Sequence, residues 1–81
     1  MSTRDRILMF IRDYISENSW APSYREMCEG VGIGSTSTMK FHIEKLDYEG
    51  LIRFGNGPRK IAITEKGMAR IEELEKANGD F

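Results

Sequence analysis

Residues 23–63, SYREMCEGVGIGSTSTMKFHIEKLDYEGLIRFGNGPRKIAI, carry the pattern that decides the fold. Ser23 and Glu26 form an S-x-x-E capping box, a hydroxyl and a carboxylate that satisfy two orphan amides at a helix start. Tyr24, Met27, Cys28 and Val31 then recur at helical spacing, which predicts a short helix over 23–31. Gly32 supplies the left-handed position that ends it. Gly30 costs a helix about 1 kcal/mol relative to Ala, so it marks a close approach to the next helix or a helix already ending. Ser35 caps that next helix, expected over 35–49, with Met39, His42, Ile43 and Leu46 inward and Gly50 as its stop. Leu51–Phe54 and Lys60–Ile63 flank a Gly55-Asn56-Gly57-Pro58 turn, so 51–63 reads as a β-hairpin.

Upstream, Ile7, Leu8, Ile11, Tyr14 and Ile15 form a helical stripe, widened by Phe10, that predicts a first helix over 3–18 capped by Ser2 or Thr3. Pro22 biases Ala21 toward extended geometry, so Ser19–Pro22 is a break between helices. Trp20 in that break is either an exposed stacking platform or a cap on the end of the core, and the cap is the expectation. Downstream, Thr64 caps a further helix over 64–77, with Met68, Ile71 and Leu74 on one side. That side is either a dimer seam or a face folded back on the first helix. The chain is therefore mostly α with a small β-hairpin, a single domain over 1–81. Two helices joined by a tight turn and followed by a hairpin are a winged helix-turn-helix, here three helices and a wing with an added C-terminal helix.

Composition narrows the function classes. One cysteine, Cys28, excludes an internal disulfide, and with a single histidine no metal cluster is expected. No nucleophile, base or ligand constellation stands out, so no catalytic residues, metal or cofactor are expected. His42 and Cys28 read as packed helix residues, and Met27, Met39 and Met68 as core fillers. No apolar run reaches membrane-spanning length and no signal peptide opens the chain, which reads as soluble and cytoplasmic. Net charge is −1, yet residues 35–63 hold 5 basic and 3 acidic groups while 64–81 hold 3 basic and 5 acidic. The positive bias sits where a winged helix would meet a duplex.

The outward positions of the 35–49 helix are Ser37, Thr38, Lys40, Phe41, Glu44 and Lys45. Short hydroxyls donate and accept at base edges, lysine reaches guanine or a phosphate, a phenyl ring meets a thymine methyl, and a carboxylate accepts from cytosine. The amides of Thr36 and Ser37 at the helix start suit a phosphate. Taken alone, these residues also fit plain helix capping and solubility charges. The hairpin decides between the two: Arg53, Arg59 and Lys60 flank a tip too small to pack, as in a wing gripping a phosphate backbone.

The chain resembles the N-terminal DNA-binding domain of LexA repressors over Arg6–Thr64. The shared runs are Ile11-Arg12-Asp13-Tyr14-Ile15, Ala21-Pro22-Ser23-Tyr24-Arg25-Glu26-Met27 and Val31-Gly32-Ile33. They continue through Ser35-Thr36-Ser37-Thr38-Met39, His42-Ile43-Glu44-Lys45-Leu46, Glu49-Gly50-Leu51-Ile52-Arg53 and Pro58-Arg59-Lys60-Ile61. The P-S-x-R-E and S-x-S-T runs, in order and correctly spaced, are the specific part. The resemblance implies repression through a palindromic double-stranded DNA operator bound by a homodimer. By position it implies base reading by Ser35, Ser37, Thr38, Lys40 and Phe41, with Ser23, Arg25, Arg53, Arg59 and Lys60 on the backbone. Lys40 and Phe41 depart from the family's usual side chains, and Gly34 offers none, so the family operator does not carry over. LexA proteins continue into a self-cleaving domain with a Ser–Lys dyad. The 81 residues hold no counterpart, so self-cleavage is not expected of them. The run Ile63-Thr64-Glu65-Lys66-Gly67 instead resembles the wing-to-helix junction of other small winged-helix regulators.

Two functions from different classes fit this reading. One is a DNA-binding transcriptional repressor. The other is a winged-helix protein-interaction module, such as an anti-repressor, which the overall acidity and Glu44 favour.

Overall fold

A computed structural model describes residues 1–55 and 60–79 of the chain. The elements run α1 (Thr3–Asn18), α2 (Tyr24–Val31), α3 (Thr36–Tyr48), β1 (Ile52–Phe54), β2 (Ile61–Ile63) and α4 (Glu65–Gly79). β1 and β2 pair antiparallel, with Arg53 opposite Ala62 and Phe54 opposite Ile61. The fold is thus a winged helix with a fourth helix, as the spacing predicts. The turn residues Asn56, Gly57 and Pro58 and the expected backbone contact Arg59 lie outside the described residues.

Local hydrogen bonds set the helix starts. The Ser2 hydroxyl accepts from the Asp5 amide at 3.1 Å, and the Ser2 amide donates to the Asp5 carboxylate at 3.3 Å. The Ser23–Glu26 box closes in the same way, at 3.2 and 2.8 Å. Gly32 ends α2 at φ 85, where a side chain would be strained. α1 ends instead on Ser19 at φ 68, a non-glycine left-handed cap.

Each helix contributes its stripe to one core. Ile7, Leu8, Ile11, Met27, Met39, Ile43 and Ile71 are fully buried, and Val31, Leu46, Ile52 and Ile61 nearly so. Each such side chain adds about 1.5–3 kcal/mol relative to exposure. Gly30 is where the phenyl ring of Phe10 crosses α2, since a Cβ there would overlap the ring. The close approach is therefore to α1 rather than α3, and Gly30 is also the last residue but one of α2, where the helix is already ending. Arg6 seals the same junction by donating to the Val31 carbonyl at 2.8 Å.

α4 folds back on α1. Ile71 is fully buried and Leu74 is 8% exposed, which is the fold-back of the two alternatives, whereas Met68, expected as a core filler, stays 43% exposed at the edge of the packed face. Arg70 donates to Asp5 at 3.2 Å and Arg12 to Glu75 at 3.2 Å, tying the two helices at both ends. Burial pushes the Asp5 carboxyl up, but hydrogen bonds from Ser2 and Arg70 and the Arg70 charge outweigh it and hold it below its ordinary value. The junction before α4 is locked as well. The Thr64 hydroxyl donates to the Gly50 carbonyl at 2.6 Å and accepts from the Gly67 amide at 3.0 Å. Trp20 corrects a second expectation: it is 53% exposed, because Ala21 and Pro22 close the core beneath it and leave the indole outside. Among the described residues, no helix is long and apolar enough to cross a membrane.

Candidate nucleic-acid interface

α3 divides its residues cleanly. Met39 and Ile43 are fully buried and Leu46 is 1% exposed, while Ser37, Thr38, Lys40, Phe41, Glu44 and Lys45 all face solvent. Thirteen residues make a rod of about 20 Å, and its buried stripe fixes which face is presented.

At the head of α3, the Ser35 hydroxyl accepts from the Thr38 amide at 3.4 Å. Ser35 therefore caps the helix while remaining exposed, and Thr36, Ser37 and Thr38 form an exposed first turn with the positive end of the helix dipole behind it. One turn on, Phe41 is 52% exposed and held by its neighbours. The His42 ring meets it edge-on at 5.8 Å, and the Lys45 ammonium lies 5.5 Å from its centroid. An apolar ring is thus fixed among hydroxyls and cations on the presented face. His42 itself is partly buried, as its place beside the apolar stripe implies.

Tyr24 links α2 to the hairpin. Its ring packs against Phe54 of β1 at 6.3 Å. Burial, and then the charge of Glu44, push its phenol up. The Tyr24 hydroxyl is buried without a hydrogen-bond partner among the described residues. α2 and the hairpin therefore meet at this ring.

The expected backbone contacts fall in two groups. Arg25, Thr36, Lys45, Arg53 and Lys60 are exposed, with Arg53 on β1 across from Ala62. Ser23 is partly buried, with its hydroxyl and amide both engaged by Glu26. Two aromatic residues escaped the sequence reading, Tyr48 at 88% exposure and Phe54 at 40%. Tyr48 lies seven positions after Phe41 on the outward stripe, a signal the sequence did contain. Phe54 carries none, because strand alternation puts it on the side of buried Ile52 although the structure leaves it exposed. Among the described residues, no group of three or more His, Cys, Asp or Glu side chains is placed to hold a metal ion.

The model of the LexA DNA binding domain matches residues 2–62, from the cap of α1 to the middle of β2. The chain belongs to the LexA DNA-binding domain family. Similar proteins include the LexA repressor of Ligilactobacillus salivarius strain UCC118, 42% identical over 69 residues, which are 84% of this chain and 34% of that protein. The LexA repressor of an Exiguobacterium species, strain AT1b, is 42% identical over 77 residues, 93% of this chain and 37% of its own length. That of Clostridium novyi is 44% identical over 61 residues, 74% and 30% of the two chains. The chain spans about a third of the length of these relatives. In this LexA-type domain the helix-turn-helix and both strands fall almost wholly within the family match, whereas α4 lies beyond it.

Proposed function

We propose that this LexA-type domain binds double-stranded DNA sequence-specifically and represses transcription by occupying an operator. The observation that carries the reading is the exposed hydroxyl, basic and phenyl face of α3, mounted on a stripe that is buried to within 1%. A helix held so firmly from behind can enter the major groove without reorganisation. Ser35, Ser37, Thr38, Lys40, Phe41 and Glu44 read base edges in this scheme. Ser23, Arg25, Thr36, Lys45, Arg53, Arg59 and Lys60 hold phosphates and set the register. Two copies on a palindromic operator complete it, each placing one α3 in successive turns of the groove. The relatives named LexA repressor support the repressor role.

The test is enrichment of random-sequence duplex DNA by the purified protein at near-physiological salt. An inverted repeat is the expected product. A folded protein that enriches no motif would refute the reading and favour a protein-interaction module.

A further inference from the structure

Opposite ends of the chain build a second feature that DNA reading does not use. The C-terminal half of α1, the Ser19–Ala21 break, β2 and the start of α4 enclose an apolar groove lined by Ile15, Trp20, Ala21, Ile63 and Met68, among others. No residue of α3 lines it. Trp20 and Met68 stand 53% and 43% exposed at this groove. An indole is a frequent energetic anchor of protein interfaces, and a thioether adapts to varied side chains.

The rim says what such a groove can take. Glu65 and Glu72 stand three residues before and four after Met68, so they share its side of α4, and both are exposed. Glu65 and Glu72 make no ion pair with any described residue. Arg12 is the one cation among the lining residues. It is already neutralised, donating to Asp13 at 2.7 Å and to both Glu75 oxygens at 3.3 and 3.2 Å. An acidic rim of this kind repels nucleic acid and anionic lipid surfaces. It also disfavours a second copy of the chain, which would bring two acidic rims face to face. A cationic segment with apolar side chains is the complement.

We propose that the Trp20–Met68 groove is a docking site for a partner polypeptide, a short segment whose aliphatic or aromatic side chain is flanked by Lys or Arg. No α3 residue lines the site, so a partner seated there leaves the reading helix free. Docking in this groove gives the domain a route to contact other proteins while it occupies DNA.

The test selects a display library of random short peptides against the full chain, then titrates the resynthesised winners. Trp20 is the single tryptophan, so its emission reports on the groove directly. The expected winners carry an apolar residue beside Lys or Arg and shift Trp20 emission to the blue. Met68→Ser and Glu72→Lys should each weaken them about tenfold, the loss typical of an interface anchor. Both positions are exposed, and thermal melts check that the variants fold. Glu29→Lys, an equal charge change on exposed α2, should leave affinity unchanged. No enrichment, an acidic motif, or binding indifferent to Met68→Ser would overturn the proposal. So would concentration-dependent dimers dissolved by Met68→Ser, since the occupant would then be a second copy. No DNA enters the experiment, so its outcome is separate from that of the operator reading.

Discussion

Phe41 offers the sharpest test of how α3 reads DNA, because an apolar ring can recognise only one base feature in the major groove, the thymine methyl. A buried phenylalanine covers roughly 200 Å², and Phe41 is 52% exposed. That leaves about 100 Å² of ring available to the duplex. If a methyl and its sugar edge cover half of it, about 50 Å² is removed from water, worth about 1.3 kcal/mol at 25 cal/mol per Å². Phe41→Ala should therefore weaken the operator about tenfold. The Lys45–ring contact lies within the protein with or without DNA, so its loss acts on affinity only through where Lys45 sits, and alike for every sequence. The two parts separate by replacing each operator thymine with deoxyuridine, which removes the methyl alone. Fluorescence anisotropy on labelled duplexes at fixed salt supplies the four affinities of a double-mutant cycle. At one thymine, the protein with Phe41 should lose about tenfold on deoxyuridine and the Ala variant nothing further. Equal losses for Phe41→Ala on the thymine and deoxyuridine duplexes, at every position, would refute the reasoning.

Other predictions follow from the same geometry. Lys40→Ala should cost about 1–3 kcal/mol on the operator and relax preference at one base pair. Lys60→Ala should instead weaken operator and random duplex alike and lower the salt slope by about one, so binding isotherms across a salt series distinguish the two. Gly67→Ala should destabilise although helix propensity alone favours Ala by about 1 kcal/mol. A Cβ there would overlap the Leu51 carbonyl oxygen and stand 2.8 Å from Ile63 Cγ2. Overpacking of about 1–3 kcal/mol, at its upper end against rigid backbone, leaves a net loss near 2 kcal/mol. The expected fall in Tm is about 8–16 °C, and a rise would show that the junction yields. Asp5→Asn should destabilise the fold at neutral pH and lose that effect in acid. The folded Asp5 carboxyl titrates below its ordinary value of 3.8. Its ionised form therefore stabilises fully above that value and progressively less as pH falls through the folded one. Urea midpoints of both proteins between neutral and acid pH give the difference.

Much of the fold is legible in the sequence because it closes over short distances. The Ser2–Asp5 and Ser23–Glu26 boxes join residues three apart, and the Ser35 cap reaches Thr38. The α3 face is equally local: given Met39, Ile43 and Leu46 inward, helical pitch alone sends Ser37, Thr38, Lys40, Phe41, Glu44 and Lys45 outward.

What the sequence could not determine depends on how the helices lie against one another. Gly30 fits a contact with the next helix or a helix already ending, and only the crossing of α1 and α2 shows that the Phe10 ring is what lies against it. Trp20 is large and apolar, and composition alone sends it inward. The smaller Ala21 and Pro22 reach the core first and leave it outside. Ile71 and Leu74 fit a seam or a fold-back equally well until Arg70 meets Asp5, 65 residues away. Such pairings have no local signature, because hydrogen-bond rings of three or four residues form wherever their residues occur. Contacts between distant residues exist only once the whole core has chosen its packing. The sequence by itself thus determined the elements and the face α3 presents. The tertiary structure alone decided which apolar side chains were left over, and so where the Trp20–Met68 groove opens.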